Sequence, residues 1–335
     1  MLHSLLALLD NAVAALQTLL YIDIVQPLCF HFGLMGYDED AYDALYWVII
    51  GVLQVAAMYA LLRPLEALRP IERWPDRKDV RADVVYTWIG KLGVINLTFF
   101  FLLQPLFHHW QSLLVMHGMP AIALDRLLPD ADERPVASFL VYLVALDFAG
   151  YWYHRWQHRF GLWWELHAVH HSQQQMSLWT DDRNHFLDEL LQAAFFALIS
   201  LFIGMQPSQF VVLVALGNFM QSVQHVNARL PFSPLLERLV VSPAFHRRHH
   251  AIGYGHEGTR YGCNFGVLFP WWDMLFGTAS WERQPEPTGI REQLPPPLGS
   301  GRDYGRGVMA QQWRAFGRMA QRLRGGHGAA VVVQD

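Results

Sequence analysis

Cysteine is nearly absent. Cys29 and Cys263 are the two in 335 residues, too few for a disulfide scaffold. Charge is scarce as well: Asp, Glu, Lys and Arg make up 16% of the chain, against roughly 25% in an ordinary soluble domain. The net charge is −4 and no basic domain stands out, which argues against a nucleic-acid binder. No C-x-x-C-H motif is present to attach a haem. Apolar residues are abundant at 53%, aromatics at 14%, and the mean hydropathy is +0.14. Such a composition excludes a disordered chain. Histidine is also in excess, with 17 residues.

The apolar residues fall into long runs. Residues 44–62 carry no charge and are long enough to cross a hydrocarbon core of about 30 Å. Residues 92–107 form a second uncharged run, with Lys91 placed to snorkel from its end. Residues 137–153 form a third, broken only by Asp147. Residues 190–204 and 210–220 are shorter, with Pro207 between them, and read as a helical hairpin. Residues 12–34 contain Asp23 and Pro27 and read as an interfacial or partly inserted helix. Residues 1–10 lack a basic n-region, and no small-residue cleavage site follows, so a signal peptide is not expected. The expectation is an all-α integral membrane protein with about four transmembrane helices: two spans, a third span and the hairpin.

Orientation follows from basic residues. Arg63, Arg69, Arg73, Arg77, Lys78 and Arg81 crowd one loop, which should be cytoplasmic. Counting spans from there puts residues 154–183, and everything from 221 onward, on the same side. The natural divisions are 1–134 (membrane helices and basic loop), 135–280 (a catalytic domain) and 281–335 (a Pro/Glu-rich linker and a last helix). In that last helix Arg306, Arg314, Arg318 and Arg322 alternate with Met309, Trp313, Phe316 and Leu323. Two readings stand: a helix lying on an anionic leaflet, or one packed on the catalytic domain. Residues 325–335 look like a loose tail.

Ten of the 17 histidines lie between His154 and His250. His154 and His158 are four apart, so on a helix they share a face. His167, His170 and His171 repeat that logic at i, i+3 and i+4, and so do His246, His249 and His250. Ser242 and Pro243 precede the last group as N-cap and first helical residue. His185 and His225 stand between the groups. A buried imidazole without a partner is costly, so eight cannot converge as inert core. They exceed the three or four ligands of one zinc site, and two ions fit the count. Imidazole suits Zn, Cu, Fe and Ni alike. Asp147 lies seven residues before His154, on the same helical face. It is expected to accept a ligand ring N–H and fix its tautomer, the other reading being a structural pair with Lys91 or an arginine.

The motifs in order resemble the fatty acid hydroxylase and sterol desaturase superfamily. DFAGYWYHRWQH (147–158) looks like its first histidine box and LWWELHAVHHS (162–172) like its second. DRNHFLDE (182–189) resembles an R-x-H-P-L-E segment, with Phe186 where the proline usually stands. QHVNARLP (224–231), FHRRHH (245–250), NFG and WWDMLFGT carry the likeness to Thr278. The resemblance implies a cytoplasmic histidine-rich helical cap holding a non-haem di-metal site, normally two Fe ions, with Zn an alternative occupant on isolation. It implies O2 and two electrons acting on a C–H bond of a lipid: sterol, fatty acyl or related. By matching positions the ligands would be His154, His158, His167, His170, His171, His246, His249 and His250, with His225 as a further one. His185 would be a ligand or support one, and Asp147, Glu165 or Asp188 would steer imidazoles. Trp152, Trp156, Trp163, Trp164 and Phe245 would wall the pocket, with Tyr153, Trp179 and Trp271 at the interface.

No His-Pro-Gly-Gly of a cytochrome b5 occurs, nor a G-x-G-x-x-G in a strand–helix setting. Electrons are therefore expected from an external donor, either a separate electron-transfer protein or a reduced pterin. The expected setting is the membrane, as a bacterial inner-membrane protein with its active site facing the cytoplasm. Two other classes use many histidines. A metal transporter would place ligands at mid-membrane with pathway carboxylates. A zinc-dependent lipid hydrolase would need fewer ligands and a carboxylate base.

Overall fold

The computed structural model describes residues 2–92, 109–110, 112–118, 124–127, 134–205, 207–256, 261–282 and 286–324. Among these the chain is helical, with a single β-bridge between Ala251 and Thr288. Helix α1 (Leu2–Leu20) continues through a π-helical turn, Tyr21–Val25, into α2 (Gln26–His31). Then come α3 (Asp38–Leu68), α4 (Val80–Lys91), α5 (Pro135–Arg159) and α6 (Gly161–His171). Helices α7 (Phe186–Phe202) and α8 (Pro207–His225) form a pair joined at Pro207. Short helices α9 (Pro234–Leu239), α10 (Pro243–His249) and α11 (Trp271–Phe276) precede the last, α12 (Val308–Leu323).

Three helical stretches are long and apolar enough to cross a membrane: Asn11–His31, Ala41–Leu68 and Pro135–Arg159. The second and third contain the runs at 44–62 and 137–153. The first covers most of residues 12–34, read as an interfacial or partly inserted helix, and is long and apolar enough to span. A π turn ahead of Pro27 accommodates the ring and the missing N–H, so the helix continues where the sequence suggested a break. Its apolar side chains are exposed, Phe30 at 78%. The run at 92–107 lies outside the described residues from 93 on, as does the tail at 325–335. The two helices expected of the hairpin are present as α7 and α8, but neither is among the three.

Buried ion pairs tie the early helices to the later chain. Asp83 of α4, fully buried, accepts from Arg183 Nη1 at 2.8 Å, from Thr180 Oγ1 at 3.1 Å and from Gln173. Glu66 of α3 accepts from the Leu178 and Asn227 amides at 2.8 and 3.1 Å and from Arg77 at 3.1 Å. Lys91 does not snorkel: it pairs with Asp182 at 3.0 Å, both largely buried. The basic loop 63–81 thus abuts the histidine-bearing chain, and Glu72 meets Arg247 at 2.6 Å.

The C-terminal helix packs on α6 and α4. Gln312 accepts from the Phe186 amide at 2.8 Å and donates to Tyr86 Oη at 2.9 Å. Phe186 replaces a proline of the resembling motif, and its N–H is the one a proline would lack. Arg318 and Arg322 both reach Glu165 of α6, at 3.1 and 2.9 Å.

Candidate metal centre

Four helices and one helix cap deliver the histidines. His154 and His158 occupy the last turns of α5, and His167, His170 and His171 the last turns of α6. His225 ends α8. His246 and His249 lie on α10, with His250 as its C-cap. The start of α10 is fixed as its sequence suggests: Ser242 Oγ accepts from the Phe245 amide at 3.1 Å, with Pro243 first in the helix.

The imidazoles converge in two groups. His154, His158, His167, His171 and His249 form one, and His170, His225, His246 and His250 the other; within each group the donor atoms lie within 4.8 Å of one another. Nine expected metal-site histidines thus come together in two sets. In the second group ring nitrogens face each other directly. His225 Nε2 is 3.2 Å from His170 Nε2 and 3.0 Å from His246 Nε2, which is 3.2 Å from His250 Nε2. The groups adjoin, because the rings of His171 and His250 stack at 4.4 Å.

The outward nitrogens are held by the fold. His154 Nδ1 donates to the Phe265 carbonyl at 3.0 Å, His249 Nδ1 to Cys263 O at 2.7 Å and His225 Nδ1 to Gln221 O at 2.7 Å. Their Nε2 lone pairs therefore turn inward. His167 Nδ1 stands 3.4 Å from Asp188 Oδ2. Asp188 is itself fixed by Gln157 at 2.8 Å and Trp163 at 2.7 Å. Both nitrogens of His158, and Nε2 of His167, His171 and His249, are buried without a hydrogen bond. So many orphaned donors in one place fit a cation. Burial, then neighbouring imidazoles, holds His170, His171, His246 and His250 well below the usual histidine range. Burial pushes His249 down to about 3, against the hydrogen bond to Cys263. The rings are neutral at pH 7, as ligation requires.

Three expected roles are corrected. Asp147 reaches no imidazole and pairs with neither Lys91 nor an arginine. It accepts from the Leu268 and Phe269 amides at 2.7 and 3.2 Å and from Trp272 Nε1 at 2.8 Å. It thereby folds the loop whose earlier carbonyls, of Cys263 and Phe265, orient His249 and His154. His185 is outside both groups. It caps α7, accepting from the Leu187 amide at 3.1 Å, and its Nε2 meets Gln312 O at 3.2 Å. Glu165 holds α12 arginines instead of an imidazole. Tyr153 and Trp179 are buried, not interfacial.

Three supporting residues escaped the sequence reading. Asp273 accepts from the Phe265 and Gly266 amides at 2.8 and 2.7 Å, which sets the carbonyl that His154 uses. It lies inside the WWDMLFGT stretch, so the signal was in view. Gly262 (φ +106) approaches the Gly255 carbonyl too closely for a side chain and lies next to His158. His256 stacks on Trp164 at 3.7 Å, with its rings 5.8 Å from His158. No spacing in the sequence links it to the other histidines.

Comparisons with known proteins point to one superfamily. The family model for fatty acid hydroxylase matches residues 139–278. The chain is 26% identical to ornithine lipid hydroxylase OlsE of Rhizobium tropici over 296 residues, 87% of this chain and 82% of that protein. It is 29% identical to human (Homo sapiens) alkylglycerol monooxygenase over 151 residues, 45% of this chain but 32% of that protein. It is 24% identical to very-long-chain aldehyde decarbonylase GL1-4 of Oryza sativa subsp. indica over 186 residues, 50% of this chain and 29% of that protein. No solved structure matches it.

Proposed function

Because the chain belongs to the fatty acid hydroxylase and sterol desaturase superfamily through residues 139–278, we propose that it is a membrane-bound non-haem di-iron oxidoreductase that uses O2 to hydroxylate or desaturate a lipid C–H bond. For hydroxylation the balance is one lipid C–H, O2, two electrons and two protons giving one lipid alcohol and water. The relative that spans most of the chain is a lipid hydroxylase, which favours that reaction. The observation that carries the reading is the pair of histidine groups, one of five and one of four, with inward nitrogens and no carboxylate in either. A hydrolase would need a base there.

Two iron ions, when bound, supply the redox chemistry and the Lewis acidity. His154, His158, His167, His171 and His249 would hold one, and His170, His225, His246 and His250 the other. The protein's part is orientation and exclusion of water. Carbonyls 221, 263 and 265 fix three tautomers, and Phe265 and Trp164 pack against the rings. The histidines of α5 sit at the end of a candidate span, so a lipid chain reaches them from the bilayer. The electrons come from a separate donor protein or a reduced pterin. The active-site side is the cytoplasmic one, by the basic loop, and the membrane is a bacterial inner membrane.

The test is metal analysis, oxygen uptake and lipid mass spectrometry on one preparation. Close to two iron ions per chain, with O2 consumed as a lipid gains one oxygen atom or loses two hydrogens, is the expected result. One ion after full reconstitution, or lipid turnover without O2, overturns it.

A further inference from the structure

Helix α12 is amphipathic in the wrong sense for a helix in water. Its packed face is largely polar: Gln311, Gln312 and Arg318 are 2%, 5% and 4% exposed, beside Ala315, Val308 and Met319, which join an apolar cluster with Tyr86, Leu166 and Val169. Two are tied inward, Gln312 to Tyr86 and Phe186 and Arg318 to Glu165, while Gln311 donates to the Gly305 carbonyl just before the helix. Its outer face carries Met309, Trp313, Phe316 and Leu323, at 61%, 68%, 40% and 70% exposure. These positions follow one another at steps of four, three and seven, so they form a single stripe. A surface helix normally turns its apolar stripe to the core and its polar side outward. Here the polar side supplies the anchor and, apart from Phe316 against the His185 ring at 4.7 Å, the apolar stripe has no cover among the described residues.

Three observations say what covers it. Arg314 and Gln321 lie along one edge of the stripe, with Arg306 and Arg324 exposed near its ends. Beside it opens a cavity of about 420 Å³ lined by Arg302, Asp303, Trp313, Arg314, Arg318 and Gln321. Asp303 pairs with Arg314 and Glu292 with Arg302, but Arg318 Nη1, buried, makes no hydrogen bond. Finally, Arg322 lies against Gly161, between exposed Phe160 and Leu162 and directly after the candidate span α5. Arg322, on the packed side, thus sets the helix beside the end of a candidate membrane span, where Phe160 and Leu162 are exposed. Trp among apolar residues with flanking arginines is the composition of a helix at the headgroup level.

We infer that α12 lies in the interface of a phospholipid leaflet, its Met309–Leu323 stripe in the acyl boundary and its arginines among headgroup phosphates. The helix then fixes the depth of α6, and so of His167, His170 and His171, through Glu165. The inference does not depend on which metal or lipid the centre uses.

Site-specific bimane labelling tests it in the full chain. Cys29 and Cys263 are buried, so introduced thiols carry the label. Trp313→Cys and Leu323→Cys report the stripe; Gln321→Cys reports the polar edge. The protein is placed in nanodiscs of phosphatidylcholine and phosphatidylglycerol, with doxyl-lipid or aqueous iodide as quencher. The labels at 313 and 323 should be quenched several-fold more by doxyl lipid than the label at 321, with iodide giving the reverse order. Equal iodide quenching at all three positions overturns the inference, because the stripe is then in water. Protection of 313 and 323 from both quenchers also overturns it, because a protein surface, a second copy or a partner, then covers the stripe. Leu323, in the last turn, keeps the test valid if Trp313→Cys loosens the helix.

Discussion

A carboxylate one face away from a histidine ligand can act on the ring or on the loop that holds the ring. Asp147 takes the second course, with two backbone amides and an indole as its partners. Asp147→Ala would leave the Leu268 and Phe269 amides buried and unpaired, at about 1–3 kcal/mol each. We expect a clear fall in the thermal midpoint with metal content per folded chain largely kept. His170→Ala should do the opposite, lowering metal content because it removes one of the four donors of its group. Equal metal loss in the two variants would contradict this division. The neutral histidines make a second prediction. His249 and His256 are pushed down to about 3 and about 4, chiefly by burial. Between those values and the unfolded value of about 6.5, the unfolded chain binds more protons, so stability rises with pH. The metal-free protein should be most stable above about pH 6.5 and lose up to about 1.4 kcal/mol per unit per histidine as pH falls toward 4. Urea midpoints of chelated protein across that range measure it, and a flat profile would mean these rings charge as freely folded as unfolded.

At the scale of elements, the joint that stands out is between α6 and α12. Arg318 is 4% exposed and shares Glu165 with Arg322, which is half exposed. Glu165→Ala leaves Arg318 buried without a counter-charge, while Arg322 can turn to water. Breaking a buried pair this way costs about 3–5 kcal/mol. The expected result is a large drop in thermal midpoint, and early proteolysis of the segment before α12. A variant as stable as the parent would show that Arg318 finds another partner.

At the scale of the whole molecule, loop 63–81 and the histidine-bearing segments touch through Glu66–Leu178, Glu66–Asn227 and Glu72–Arg247. They should therefore be reached from the same side of the membrane. Arg247 is buried, so labelling must use exposed positions. Lys78→Cys and Leu235→Cys, at 73% and 70% exposure, should react together with an impermeant thiol reagent, in inverted but not in right-side-out vesicles. Opposite accessibility would sink the cytoplasmic assignment of the centre.

The histidine spacing by itself determined which rings share a helical face, because i, i+3 and i+4 neighbours meet whatever the surroundings. Eight of the nine histidines in the two groups were legible for that reason, and His225 only through the family resemblance; the break at Pro207 and the cap at Ser242 were legible from their turn and cap residues. The apolar runs at 44–62 and 137–153 were legible because hydrocarbon demands length without charge. Periodicity could not divide the histidines into a five and a four, because His170 and His171 are adjacent in the chain yet serve different groups. That division is made by which helix packs opposite each ring. The same holds for Asp147, His185 and Glu165: a side chain's partner, unlike its helical face, is fixed by segments over a hundred residues away, Trp272, Gln312 and Arg318. For α12 the sequence supplied two faces and left open which one packs. Tertiary structure chose the polar face, because Tyr86, Phe186 and Glu165 offer it hydrogen bonds and a charge that a buried apolar stripe would have left unpaired.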